Sequence, residues 1–206
     1  MGFNTEQELF WAGEFGNEYI SRNNGINMVA GNIRLFSDIL KLTRNVNSVI
    51  EFGSNIGMNL LAIKTLLPDV EISAVEINKN AFEQLGKIPG IKAYNTSALD
   101  FKVDYKRNLS LVKGVLIHIN PDYLQKMYEI LYNSSDKYIC IAEYYNPIPV
   151  EIPYRGHEGK LFKRDFAGEM LKEFPDLKLL DYGFIYHGDN YYKSTYDDLN
   201  WFLLEK

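Results

Sequence analysis

The stretch that most constrains this chain is V-I-E-F-G-S-N-I-G, residues 49–57. A β-branched apolar run ends in Glu51, two glycines four apart follow, and the next residues, Met58 to Lys64, read as a helix. That order is the strand, tight loop and helix of a nucleotide-binding α/β sheet. Glycine tolerates positive φ there and lets the backbone approach a ligand with no Cβ in the way. The dinucleotide fingerprint G-x-G-x-x-G is not met, because Asn55 holds the place of the middle glycine. Charge separates the ligands further. A carboxylate at Glu51 repels a pyrophosphate and attracts a ligand carrying an ammonium and a sulfonium. S-adenosylmethionine (SAM) has both cations and no phosphate, so the loop suits SAM better than NAD. An ordinary strand followed by a glycine turn is the plainer alternative.

The net charge of −5 argues against a binder of phosphate backbones, although a local basic patch stays open. One cysteine, Cys140, excludes an intramolecular disulfide and a cysteine metal cluster. The three histidines, at 118, 157 and 187, are not at ligand spacing, so no metal is expected. No apolar run reaches membrane-spanning length, and M-G-F-N-T-E lacks the basic and apolar parts of a signal peptide. The expectation is a cytoplasmic protein with no nucleic-acid or membrane partner; the sequence says nothing of its oligomeric state. Fifteen tyrosines suggest either a site walled by rings or a tyrosine-rich surface.

Without repeats or linkers, residues 1–206 read as one domain, with 1–24 a candidate lid and 147–164 a candidate substrate loop. Phe10, Trp11, Phe15 and Tyr19 beside Gly13 and Gly16 suggest a mobile, anchored segment rather than a core helix. It is either a lid or a staple onto the sheet. Helical spacing of Ile26, Val29, Ile33, Phe36, Ile39 and Leu40 predicts a helix over 26–43. Strand two ends in Glu76, about twenty residues past the glycine loop, where a carboxylate can take both ribose hydroxyls. A third strand, 91–94, is followed by T-S-A-L-D, which can meet an adenine edge or form an Asx turn at Asp100. Strand four leads into K-G-V-L-I-H-I-N-P, placing His118 outside a strand end, as a proton acceptor or as a loop-packing residue. Strand five, 138–142, buries Cys140 and ends in E-Y-Y-N-P. The long connection then gathers Arg155, His157, Lys160, Lys163 and Arg164, and Arg155 and His157 suit an acidic group on a small substrate. A helix over 165–174 precedes two strands, 177–186 and 197–205, joined by G-D-N as a hairpin.

These segments together resemble class I SAM-dependent methyltransferases, and more closely the methylases associated with pseudaminic acid biosynthesis. The resemblance spans nearly the whole chain, through FWAGEFGNEYISRN, EFGSNIG, KGVLIHINP, IAEYYNP, EIPYRGHEGKLFKRDFAGEML and WFLLEK. The glycine loop and VLIHI are common to many methyltransferases; AEYYNP and IPYRGHEGKLFKRDF are more specific. The resemblance implies a mostly parallel, seven-stranded Rossmann-like sheet with helices on both faces and a C-terminal antiparallel hairpin. It implies that Glu51, Gly53, Ser54, Asn55 and Gly57 cradle the methionine half of SAM. Glu76, with Ile77 beside it, would hold the ribose, Ser97, Ala98 and Leu99 the adenine, and Lys113 would lie near the sulfonium. Trp11, Tyr19 and Arg22 would close over the site. Asn55 departs from the usual three-glycine loop and narrows the space beside the methionine tail.

The implied reaction moves a methyl group from SAM to an oxygen or nitrogen of a small acidic sugar or sugar nucleotide bearing a carboxylate or phosphate. His118 would exchange the acceptor's proton, with Glu143 and Tyr145 as further candidates. Arg155, His157, Tyr144 and Lys160 would bind the acceptor. Two rival readings remain: a non-catalytic SAM- or partner-binding module, and an NAD(P)-dependent oxidoreductase, against which Glu51, Asn55 and the terminal hairpin argue.

Overall fold

The computed structural model describes residues 2–23, 25–190 and 197–206, the side chain of Ile26 excepted. Its frame is a seven-stranded sheet: β1 (Ser48–Phe52), β2 (Glu71–Glu76), β3 (Ile91–Asn95), β4 (Arg107–Lys113), β5 (Ser135–Glu143), β8 (Lys178–Ile185) and β9 (Leu199–Glu205), in the order β3-β2-β1-β4-β5-β9-β8. The first five strands run parallel, and β9 lies antiparallel between β5 and β8. The central strands are near-continuous apolar runs because both their faces are covered. Alternate residues serve opposite layers. Val49, Leu109, Leu111 and Cys140 pack with α3 (Ile26–Leu40) and α4 (Met58–Leu66). Ile50, Phe52, Val112 and Ile141 pack with α6 (Leu124–Ser134) and α7 (Phe166–Glu173).

Each strand's far end feeds a loop. After β1, Gly53 takes φ 69° and a Cβ there would come within 2.4 Å of Val115. Gly57, at φ 83°, starts α4 and packs on Leu85 and Ile88, whose terminal methyl groups a Cβ would displace. Asn55 also sits at positive φ, 47°, a conformation asparagine accepts better than most residues. The departure from three glycines therefore keeps the loop's backbone. After β2, Asn78 caps α5 (Lys79–Leu85), its Oδ1 accepting from the N–H groups of Asn80 and Ala81.

Residues 5–23, read from the sequence as an anchored segment rather than a core helix, form two helices, α1 (Glu6–Ala12) and α2 (Glu14–Arg22). Thr5 and Glu8 make a reciprocal capping box that starts α1. The long connection after β5 contains a short antiparallel ribbon, β6 (Val150–Glu151) with β7 (Phe162–Lys163). The two strands after α7 do pair as a hairpin, with Gly183 making room for the Trp201 indole opposite it. Residues 191–196 of their connection, and Met1 and Asn24 of the candidate lid, lie outside the described residues. No helix among the described residues is long and apolar enough to cross a membrane.

Candidate active site

A cavity of about 260 Å³ opens at the C-terminal ends of β1, β2 and β4. Ligands of open α/β sheets bind at this edge. Its floor is the glycine loop, with Gly53, Ser54 and Asn55 at the wall. Glu76 lies beside them, 6% exposed, and both its oxygens are held by backbone: Oε2 accepts from the Asn55 N–H at 2.7 Å and Oε1 from the Asn78 N–H at 2.7 Å. Burial pushes its pKa up, and these backbone donors work against that push. The carboxylate is thus oriented before any ligand arrives, with further lone pairs for a diol. Ile77 lines the wall next to it. Ser97, Ala98 and Leu99 form the neighbouring wall after β3, where Ser97 Oγ accepts from the Leu99 N–H and donates to Glu8.

Helices α1 and α2 roof the cavity with Trp11 and Tyr19, whose rings meet edge-on at 5.2 Å. Two features fix the roof. Asn78 Nδ2 donates to Asn17 Oδ1 at 2.9 Å and reaches the carbonyls of Trp11 and Ala12 at 3.2 and 3.4 Å. On the other side, Gln7 Nε2 donates to the Gly159 carbonyl, and Lys160 pairs with Glu6 at 2.8 Å. Close passage of α2 under α1 needs Gly16, since a Cβ there would stand 1.9 Å from the Trp11 carbonyl oxygen.

Opposite the glycine loop, His118 lies between Trp11 and Tyr154, with ring centroids 4.6 and 4.8 Å away. Its Nδ1 is 2.5 Å from the Lys160 carbonyl oxygen. A carbonyl only accepts, so Nδ1 carries the proton and Nε2 keeps a lone pair in the neutral ring. Burial lowers the His118 pKa to about 4, which keeps the imidazole neutral and able to receive a proton. Lys113 lines the same region, its pKa lowered to about 8 by burial while Glu51 and Glu143 oppose the shift.

Toward the mouth stand Tyr144, Tyr154, Arg155 and Asp197. Tyr144 donates its hydroxyl to Asp197 Oδ2 at 2.7 Å. Arg155 and Gly156 are the central residues of a tight turn in which Tyr154 and His157 exchange both backbone hydrogen bonds. Both have positive φ, 49° and 85°, the pattern of a type I′ turn. Arginine is a poor choice there, and holding it in the left-handed region costs about 1 kcal/mol.

Several expected site residues lie elsewhere. Glu51 is wholly buried beneath the loop, bonded to Asn59, with its pKa pushed up to about 7 by burial. Gly57 serves packing. Glu143 is buried and accepts from the N–H groups of Val115 and Leu116, which makes it a clamp on the loop carrying His118. Tyr145 faces outward, 39% exposed, against Phe202. Arg22 pairs with Glu18 and lies over Phe15 on the outer side of α2. His157, which closes the turn, points to an outer groove with Phe10 and Phe15, and Lys160 is engaged with Glu6. Among the described residues no group of three His, Cys, Asp or Glu side chains is placed to hold a metal.

Gln7, Glu8, Asn78 and Asp197 were not anticipated as site residues. The Thr5-x-x-Glu8 capping box and the Asn78 cap were readable signals for helices at the site edge. Asp197 carried none, because only the antiparallel return of β9 beside β5 brings it to Tyr144.

No protein-family model matches the chain, and no curated protein matches it. Solved structures do share its fold. The Burkholderia thailandensis 1,6-didemethyltoxoflavin-N1-methyltransferase, with bound 1,6-didemethyltoxoflavin and S-adenosylhomocysteine, is 10% identical at a TM-score of 0.68, over 100% of this chain and 92% of its own. A Synechocystis magnesium protoporphyrin IX methyltransferase with bound S-adenosylhomocysteine is 10% identical at 0.69, over 98% and 100%. A Leishmania major SAM-dependent methyltransferase is 11% identical at 0.69, over 98% and 87%. The chain therefore has the fold of the class I SAM-dependent methyltransferases.

Proposed function

We propose that this protein binds SAM and transfers its methyl group to an oxygen or nitrogen of a small metabolite. The observation that carries the reading is Glu76, held by two backbone N–H groups at the end of β2 and facing the cavity beside the glycine loop. A carboxylate so placed takes the ribose diol of an adenosyl ligand and repels a phosphate. Gly53, Ser54 and Asn55 would hold the methionine portion, and Ser97 to Leu99 the adenine. Bound SAM supplies an electrophilic methyl group; the chain's task is to align the acceptor with it and exclude water. His118 Nε2 would receive the acceptor's proton, its ring locked by the Lys160 carbonyl. Glu51 and Glu143 support the floor and the His118 loop.

Arg155 would engage an acidic group of the acceptor, and the sequence resemblance points to nonulosonic, pseudaminic-type sugars or their precursors in surface-glycan synthesis. The test is calorimetric titration with S-adenosylhomocysteine, alongside mass spectrometry of sugars and sugar nucleotides incubated with enzyme and SAM. S-adenosylhomocysteine should bind the wild type, bind Glu76→Ala at least tenfold more weakly, and be matched by a one-methyl mass gain on an acceptor. Undiminished affinity in Glu76→Ala would remove the basis of the assignment. Binding with no methylated product would favour a SAM-binding module, and stabilisation by NAD(P) instead would favour an oxidoreductase.

A further inference from the structure

The charged residues at the mouth point to a narrower class of acceptor than an acid. Of the charged side chains lining the cavity, Glu76 belongs to the cofactor end. Glu8 is spent on Ser97 and on the backbone N–H groups of Asn4 and Thr5. Lys113 lies deep, at the end of β4. Arg155 and Asp197 remain at the mouth, one of each sign. Tyr19 and Tyr154 line the same cavity as both charges. Yet no ion pair joins Arg155 to Asp197 among the described residues.

Each of the two has an aromatic neighbour at the mouth. The turn sets the backbone at Arg155, and the guanidinium lies over Tyr154, 5.9 Å from the ring centroid. The Tyr144 hydroxyl fixes Asp197. Tyr19, Tyr144 and Tyr154 wall the space between them, and tyrosine faces attract a cation brought in on a ligand. A purely anionic acceptor would meet Arg155 but be repelled by Asp197; a purely cationic one would suffer the reverse.

We propose, resting on the methyltransferase reading, that the acceptor is amphoteric: a small hydroxylated metabolite that presents a carboxylate or phosphate to Arg155 and an ammonium to Asp197. Arg155 and Asp197 are its specificity determinants, and the tyrosine walls receive the carbon frame between its two charges. His118 serves a third point of the ligand, the reacting group.

The experiment uses the full chain saturated with S-adenosylhomocysteine and three matched probes: glucosamine 6-phosphate, glucose 6-phosphate and glucosamine. By calorimetric titration, glucosamine 6-phosphate should bind about tenfold more tightly than either single-charge probe, the gain of one charge-assisted contact. Asp197→Asn should erase its advantage over glucose 6-phosphate, and Arg155→Gln its advantage over glucosamine. Unchanged S-adenosylhomocysteine affinity in both variants shows that they fold. Glucose 6-phosphate binding as tightly as glucosamine 6-phosphate overturns the proposal, and so does no binding of any probe or a preference that survives Asp197→Asn. Those results leave the cofactor reading standing. Failure of S-adenosylhomocysteine to bind the wild type overturns both.

Discussion

Asn78 does two jobs with one side chain, and two substitutions separate them. Its Oδ1 accepts from Asn80 and Ala81 and caps α5, while its Nδ2 holds the roof through Asn17, Trp11 and Ala12. An amide nitrogen has two protons, so the three roof contacts amount to two hydrogen bonds, together about 2 kcal/mol at the usual net value. The cap contributes about 1 kcal/mol. Asn78→Ala loses both. Asn78→Asp keeps a good cap and turns the roof contacts repulsive, because a carboxylate then faces two carbonyls and the Asn17 oxygen. Amide hydrogen exchange read by mass spectrometry over residues 6–22 should accelerate in both variants, by roughly thirtyfold for a 2 kcal/mol loss. Stability to urea should fall in both variants, by about 3 kcal/mol in Asn78→Ala, which loses roof contacts and cap together, and by about 2 kcal/mol or more in Asn78→Asp, which keeps the cap. If residues 6–22 of Asn78→Asp exchange as slowly as in the wild type, the Asn78 amide does not hold the roof and the reasoning fails.

His118 gives a pH signature. Its folded pKa lies near 4, below the unfolded value of about 6.5, so the stability of the neutral ring is complete above pH 6.5 and is lost as pH falls toward 4. Glu51 and Glu143, raised to about 7, act in the opposite sense over the upper part of that range, so the effect is read as a difference between proteins. The stability of the wild type relative to His118→Gln, from urea titrations, should fall by about 3 kcal/mol between pH 7 and pH 4; a flat difference would mean an unperturbed histidine. Arg155→Asn should relieve the strained turn and raise the unfolding free energy by up to about 1 kcal/mol while weakening acceptor binding. A loss of stability would show that the turn holds no strain at that residue.

The sheet was legible because buried parallel strands write themselves as short β-branched runs between turn residues, as at Val49–Phe52 and Tyr138–Ala142. The glycine loop and Glu76 were legible because their spacing along the chain is set by one strand–helix–strand unit. The acceptor side was less so. Arg155 and His157 are two residues apart in one polar segment, yet the type I′ turn sends one to the cavity and the other to the outer groove. Glu51 and Glu143 read as ligand-facing because they end strands, but each is drawn under its loop by local amide partners. The N-terminal aromatics obscured α1 and α2: four large rings beside two glycines suggest a mobile, anchored segment, and the reason for Gly16, its approach to the Trp11 carbonyl, exists only once the two helices cross.

The roof joins parts of the chain that are far apart in sequence. Gln7 bonds to Gly159, 152 residues away, and Ser97 to Glu8, 89 residues away. During synthesis α1 and α2 leave the ribosome before the sheet, yet their docking surface is not finished until the ribbon after β5 has been made. Contacts of such long separation close late, since the loop entropy must be met before they form. The site should therefore be the last part of the molecule to assemble in refolding. Until it closes, the aromatic face of the N-terminal helices stays exposed, a hazard for association of half-folded chains that a ligand bound under the roof would shorten.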